Sequence, residues 1–355
     1  MKIVTIIGAR PQFIKASAFS RAASSRSDIE EVIIHTGQHF DPNMSDIFFE
    51  EMEIPKPKYH LEIHSLGHGA MTGRMLEGIE NILKIENPDY VLVYGDTNST
   101  LAGALAAKKM HIKLVHVEAG LRSFNMAMPE EINRILTDRI SDVLFCPTQN
   151  AINNLMLEGF GHFDTQIFNC GDIMYDAALF YKEKANQESN ILSRLKITAE
   201  NFVLATIHRQ ENTDDLERLK NIVEALNYIH QSKKVIVPLH PRTKKILENS
   251  HIKIDFVVIE PIGYMDMIAL TSNAYMVLTD SGGLQKEAFF FGKYCITLRD
   301  QTEWIELVES GFNTLAGADI NKIIHSFESV DVTNINFNVN LYGDGQTAAF
   351  ILDKL

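Results

Sequence analysis

The chain has 355 residues, 45% hydrophobic and 22% charged, with 46 acidic against 33 basic side chains and a formal net charge of -13 at pH 7. That length exceeds a single core and suggests two domains. The acidic balance disfavours broad adhesion to nucleic acid or an anionic membrane, but leaves room for a local basic pocket that takes a small anion.

KIVTII (2–7) reads as a strand entering a turn, not a leader, and no run approaches the roughly 20 apolar residues needed to span a bilayer. Cys146, Cys170 and Cys295 are few, odd in number and far apart, which suits reduced thiols. A cytoplasmic protein is expected. After the first strand, GARPQFIK puts Arg10 in the turn and Lys15 about one helical turn later, with Pro11 suited to a first helical position. These cations could hold a diphosphate or simply be solvated.

EVIIH (31–35) leads into TGQHFD, and YHLEIHSLGH follows with His60, His64 and His68 spaced by four. On one helix these could gather zinc. Gly67 and Gly69 interrupt such a helix and LEI alternates like a strand, so no metal site is expected. MTGRMLEGIENILK has helical spacing. YVLVY (90–94) then opens into GDTNST, where Asp96 stands at a strand end before the cap candidates Thr97 and Ser99. KLVHV (113–117) delivers Glu118 in EAGLR, and PEEINR sets Glu130 and Glu131 at a helix start, where dipole complementation alone would explain them. Three such positions in one domain each offer a carboxylate. Converging carboxylates repel, so one can be kept poised to exchange a proton.

VLFC (143–146) closes the first set of strands. A second set follows the polar stretch 182–201: VLATIH (203–208), KVIVPLH (234–240), FVVIE (256–260), YMVLTD (275–280) and YCITL (294–298). HRQEN supplies His208, with Arg209 beside it and Glu211 as an orienting partner; HPRT follows the next strand. TDSGGLQKEA carries the sharpest phosphate signal. A Ser-Gly-Gly turn between strand and helix frees the N–H groups around Ser281, Gly282 and Gly283 and adds the helix dipole. Glu287, about one turn on, is placed to meet ribose hydroxyls. Neither G-x-G-x-x-G nor a P-loop is present, which argues against a nicotinamide enzyme or a P-loop ATPase.

Near-continuous apolar strands alternating with helices predict an α/β fold of two Rossmann-like doubly wound domains, whose polar strand ends would face each other across a cleft. The expected boundaries are 1–175, with the proton-transfer carboxylates and a C-terminal helix at 341–355 packing back on it, and 176–340, with the phosphate site.

GARPQFIK, TGQH, GDTNSTLAGALAA, HVEAGLR, PEEINR, HRQEN and LTDSGGLQKEA, in order from residue 3 to at least residue 311, together resemble the non-hydrolysing UDP-N-acetylglucosamine 2-epimerases. The resemblance implies a glycosyltransferase B type fold and epimerisation at C2 by elimination and re-addition of UDP through a glycal intermediate, with no cofactor and no metal. Carried over motif by motif, it implies Asp96, Glu118 and Glu130 for proton transfer and His208 for the departing diphosphate. It matches Arg10, Lys15, Ser281, Gly282, Gly283 and Glu287 to UDP binding, makes Arg134 a positioning or pairing group, and implies a homodimer.

Departures from the common pattern are informative. GARPQ replaces Gly-Thr-Arg-Pro-Glu, RSFNMAMPEE is shorter than usual, and HPRT, RDQTEWIEL and FDPNMSDIFFE also differ. These variants resemble the subgroup acting on UDP-2,3-diacetamido-2,3-dideoxy-D-glucuronate for bacterial surface polysaccharide, with UDP-N-acetylglucosamine as the alternative substrate. Gln12 removes a negative charge that could oppose a sugar acid. Changes around residues 38–43 tell against activation by a second UDP-sugar. A glycosyltransferase of the same fold, or a sensor that keeps only the UDP contacts, are the competing functions.

Overall fold

The structure is a computed structural model that describes residues 1–38, 53–239 and 241–355; the side chain of Arg10 lies outside the described residues, as do most of the 38–43 segment and the first residue of HPRT. In the first sheet, β1 (Lys2–Ile7), β2 (Glu30–His35), β3 (Tyr59–His60), β4 (Tyr90–Tyr94), β5 (Lys113–Val117), β6 (Val143–Cys146) and β7 (Gln166–Asn169) lie in the order β3-β2-β1-β4-β5-β6-β7. In the second, β8 (Phe202–Thr206), β9 (Lys234–Pro238), β10 (Val257–Ile259), β11 (Met276–Thr279), β12 (Cys295–Thr297) and β13 (Asn313–Leu315) lie in the order β10-β9-β8-β11-β12-β13. All pairings between these neighbours are parallel.

The apolar runs become strands because β-branched side chains suit a pleated surface that helices cover on both faces. Val4, Ile6, Val32, Ile34, Val91 and Val93 form the first core with Met75, Ile79 and Leu83, which recur every four residues along the helix His68–Glu86. Each such aliphatic side chain, fully buried, contributes about 1.5–3 kcal/mol of transfer free energy. The helix Asn98–Lys109 is built of small residues and lies close to β1; a Cβ at Gly103 would come within 2.6 Å of Ile6 Cδ1. A second core gathers Val203, Ala205, Val235, Val237, Leu278 and Ile296 around Leu219, Ile222 and Leu226.

The chain divides into two compact units, Met1–Ala177 with Asn340–Leu355, and Ala178–Val339. The last helix, Thr347–Lys354, is fastened within the first unit. Asp176 accepts from the N–H groups of Thr347 (3.1 Å) and Ala348 (2.8 Å), which are free at a helix start. Thr347 Oγ1 donates to the Cys170 carbonyl at 3.0 Å, and Phe350 packs edge-on against Phe145 and Phe168.

The strand order reverses between β1 and β4 and again between β8 and β11. In open parallel sheets such reversals open a crevice at the carboxyl ends of the strands, where ligands bind. The turns 8–9 and 95–97 lie at the first reversal, and residues 207–209 and 280–283 at the second.

Candidate active site

At the first reversal the chain leaves β1 through Gly8, which has to be glycine because a Cβ would collide with the hydroxyls of Thr36 and Ser99. Gln12 is buried beneath this turn. Its Oε1 accepts from the N–H groups of Gly8 (2.8 Å) and Ala9 (3.1 Å), and its Nε2 donates to the Tyr94 carbonyl and Thr100 Oγ1, both at 3.0 Å. The amide is therefore committed to bracing the β1 turn against the end of β4, a structural task that reading Gln12 as one charge fewer near a sugar acid did not anticipate.

Four expected residues come together here. Arg134 donates to Asp96 Oδ2 from Nε (2.9 Å) and reaches the same oxygen with Nη2 (2.6 Å). Lys15, buried, pairs with Glu118, also buried. Lys15 Nζ and Glu118 Oε2 each stand 3.2 Å from where a Cβ on Gly95 would sit, so this pair lies directly against the turn that presents Asp96. Glu118 has φ +70°, in the left-handed region that side chains other than glycine seldom adopt.

Glu130 and Glu131 are adjacent in the helix Pro129–Ile140 but differ in environment. Glu130 is exposed and has no hydrogen-bond or ion-pair partner among the described residues. Glu131 is buried and accepts from Ser123 N (2.9 Å), Ser123 Oγ (3.0 Å), Phe124 N (2.9 Å) and Arg134 Nη1 (2.6 Å). Burial alone would raise its pKa, but these donors outweigh burial and hold the carboxyl below its usual value. Glu131 thus ties down the chain at Ser123 and Phe124, while Glu130 is left at the surface. Asn133 adds a hydrogen bond from Nδ2 to the Asp96 carbonyl at 2.8 Å.

At the second reversal the organising group is Asp280, fully buried at the end of β11. It accepts from the N–H groups of His208 (3.0 Å) and Arg209 (3.0 Å) and from Asn212 Nδ2 (3.2 Å), and its Oδ1 lies 3.0 Å from His208 Nδ1. Burial would push this carboxyl up, but the His208 imidazole and the two amides prevail and keep it ionised below the usual range. His208 is half exposed, so the Asp280 contact fixes one ring nitrogen and turns Nε2 outward. The expected orienting partner, Glu211, is instead on the exposed side of the short helix Gln210–Thr213. Asp280 was missed although it stands within TDSGG, since a residue between a strand and its glycine turn reads as a cap.

Ser281 caps the helix Gly282–Phe290, its Oγ accepting from Leu284 N at 3.4 Å. Among the described residues the N–H groups of Gly282 and Gly283 have no acceptor. The two glycines serve different ends. A Cβ at Gly282 would strike the Glu303 carboxylate, whereas one at Gly283 meets nothing within 4 Å and would project into open space. Glu287, expected near a ribose, is buried and accepts from Tyr264 OH at 3.1 Å. The three histidines of the 60–68 stretch are divided between a strand, a loop and a helix start. No group of three His, Cys, Asp or Glu among the described residues could hold a metal.

Two doubly wound parallel sheets, with carboxylate–cation pairs at one reversal and a serine-capped helix that opens on two glycines at the other, have the framework of an enzyme acting on a nucleotide-linked substrate. The family model for UDP-N-acetylglucosamine 2-epimerase matches residues 21–355. The chain is 56% identical to the UDP-2,3-diacetamido-2,3-dideoxy-D-glucuronate 2-epimerase of Pseudomonas aeruginosa, covering 100% of this chain and 99% of that one. It is also similar to the crystal structure of Methanocaldococcus jannaschii UDP-GlcNAc 2-epimerase in complex with UDP-GlcNAc and UDP (TM-score 0.89, 45% identity, 100% of this chain and 99% of that chain). The UDP-GlcNAc 2-epimerase of Neisseria meningitidis bound to UDP-GlcNAc gives the same TM-score at 30% identity, with 100% and 99% covered. The chain belongs to the UDP-N-acetylglucosamine 2-epimerase family, a family of isomerases of UDP-sugars. No helix among the described residues is long and apolar enough to cross a membrane.

Proposed function

We propose that this protein interconverts UDP-2,3-diacetamido-2,3-dideoxy-D-glucuronate and its D-mannuronate isomer, for surface polysaccharide. The observation that carries the substrate is the 56% identity, across the whole chain, to a P. aeruginosa enzyme named for that sugar. The carboxylate pairs at the first reversal support the chemistry. A carboxylate removes the C2 proton while the C1–O bond to the diphosphate breaks, leaving a glycal and UDP; the pair then recombines with a proton delivered to the opposite face of C2. That inversion needs an acid and a base on different sides of the ring, and Asp96, Glu118 and Glu130 are the groups assigned to it.

Lys15 and Glu118 take coupled roles in this reading. When Glu118 accepts a proton its hold on the ammonium weakens, and the cation becomes available to the departing diphosphate. Ser281, the Gly282 and Gly283 amides, Arg10 and His208 receive that diphosphate, and Glu287 the ribose. Residues 1–177 with 340–355 would then act as the proton-transfer domain and residues 178–339 as the UDP-binding domain. A cytoplasmic homodimer is the expected form.

Proton NMR in heavy water tests the function with each of two UDP-sugars. A manno product with deuterium at C2 from the diacetamido-glucuronate alone is expected. The same product from UDP-N-acetylglucosamine alone would overturn the substrate, and no exchange with either would overturn the reaction.

A further inference from the structure

We infer that Asp138, acting with His116, is a positioning residue for the proton-transfer turns at the first reversal, a role that rests on the functional reading above. Asp138 is completely buried in the third turn of the helix Pro129–Ile140. Its Oδ2 accepts from Gly120 N (3.1 Å) and Arg122 Nη1 (2.7 Å), and its Oδ1 meets His116 Nδ1 at 2.7 Å. The other ring nitrogen, Nε2, faces the Gly95 carbonyl at 2.8 Å, where it can only donate. One carboxylate therefore reaches, through an imidazole, the residue just before Asp96 and, directly, the residue two past Glu118.

Both turns need such a hold. Gly95 has φ +60°, Gly120 φ +78° and Glu118 φ +70°. A side-chain-bearing residue in that region persists only where its surroundings over-determine it. Gly120 is further pinned because any Cβ would stand 2.5 Å from the Ala151 carbonyl oxygen. The electrostatics close around the hub. Burial would raise the Asp138 carboxyl, but His116 and Arg122 more than offset it and keep it ionised. Arg122 forks onward to Glu158 with bonds of 2.7 and 2.8 Å, so the buried cation is matched on both sides. Arg134, one turn before Asp138 on the same helix, holds the Asp96 side chain independently. Loss of Asp138 thus disturbs the backbone that aims the carboxylates and leaves their charges in place.

The test compares kcat, KM, UDP affinity and unfolding midpoint for wild type, Asp138→Asn, His116→Gln and His116→Ala. The asparagine cannot accept from both His116 and Gly120 as the carboxylate does. Gln keeps an amide donor for the Gly95 carbonyl, and Ala does not. The expected result is a fall in kcat of roughly 10- to 100-fold for Asp138→Asn and His116→Ala, with a smaller fall for His116→Gln and UDP affinity unchanged in all three. If Asp138→Asn does not fold, the two His116 variants decide. Variants with kcat within about twofold of an active wild type, or with kcat and UDP affinity falling together, would overturn the positioning role alone. A wild type that turns over neither UDP-sugar overturns the functional reading and this role with it.

Discussion

Asp280 Oδ1 stands 3.0 Å from His208 Nδ1, while the Oδ2 of the same carboxylate accepts from the backbone N–H groups of residues 208 and 209. One buried side chain thereby sets both the path of the chain after β8 and the direction of the imidazole. Asp280→Asn should lower kcat by on the order of 10-fold or more, because the amide leaves the ring free to turn. It should also cost roughly 1–3 kcal/mol of stability, since donors lose an ionised acceptor. The folded-state value lies below the ordinary 3.8, so this stabilisation is present above that pH and is lost as pH falls through the lower folded value. Equal activity in wild type and variant, by coupled assay of the manno product, would remove His208 from the reaction.

Asp96→Asn and Glu118→Gln each preserve shape while removing a proton acceptor. Turnover should drop by about 10²- to 10⁴-fold in either variant, with UDP affinity largely retained, since the diphosphate contacts assigned to 281–283 are untouched. Isothermal titration with UDP, beside the heavy-water assay, separates the two effects. Wild-type turnover in both variants would dismiss these carboxylates.

The two glycines at the head of the helix Gly282–Phe290 offer a contrast that a purely structural turn does not predict. Gly283→Ala adds a methyl to open space and should leave the unfolding midpoint unchanged while weakening UDP binding by about 10-fold, as it blocks close approach to the N–H groups. Gly282→Ala runs into Glu303 and should lower the midpoint. If Gly283→Ala binds UDP as wild type does, the anion does not sit on this turn.

Asp176 makes the last helix sensitive to pH. Burial, countered in part by the Thr347 and Ala348 amides, raises its carboxyl from 3.8 to about 6. The folded state holds this proton more tightly than the unfolded chain, so the group is unfavourable to stability above about pH 6 and the penalty fades as pH falls toward 3.8. The span is worth at most about 3 kcal/mol, at 1.36 per unit. Unfolding midpoints from pH 4 to 8 should therefore show wild type gaining on Asp176→Asn as pH falls. A constant difference between the two would refute the shift.

The sheets were largely legible because buried parallel strands are written as unbroken apolar runs; KLVHV and VLFC coincide with β5 and β6. The strands that escaped notice are β3, of two residues, β7, whose QIFN is half exposed, and β13, of three residues. Edge pairing of that kind depends on a neighbour more than on its own pattern. Within the site, glycines and strand-end charges announced themselves by type and place. The supports did not, because Asp138, Asp280 and Glu131 derive their meaning from groups 16 to 72 positions away, or from a loop folded over them. One signal was available for the helix Pro129–Ile140. Glu131, Arg134 and Asp138 recur at intervals of three and four, a charged stripe where an apolar one is usual.

The return of residues 340–355 to the first unit has a consequence for the order of events during synthesis. Residues 178–339 leave the ribosome before the segment that covers Phe145 and Phe168 and satisfies Asp176. The N-terminal half must therefore wait, incompletely covered, through more than 160 residues of translation, at a pace of about 5–20 residues per second. The final helix acts as a late fastener, so a message cut short leaves a nascent product that is exposed to proteolysis.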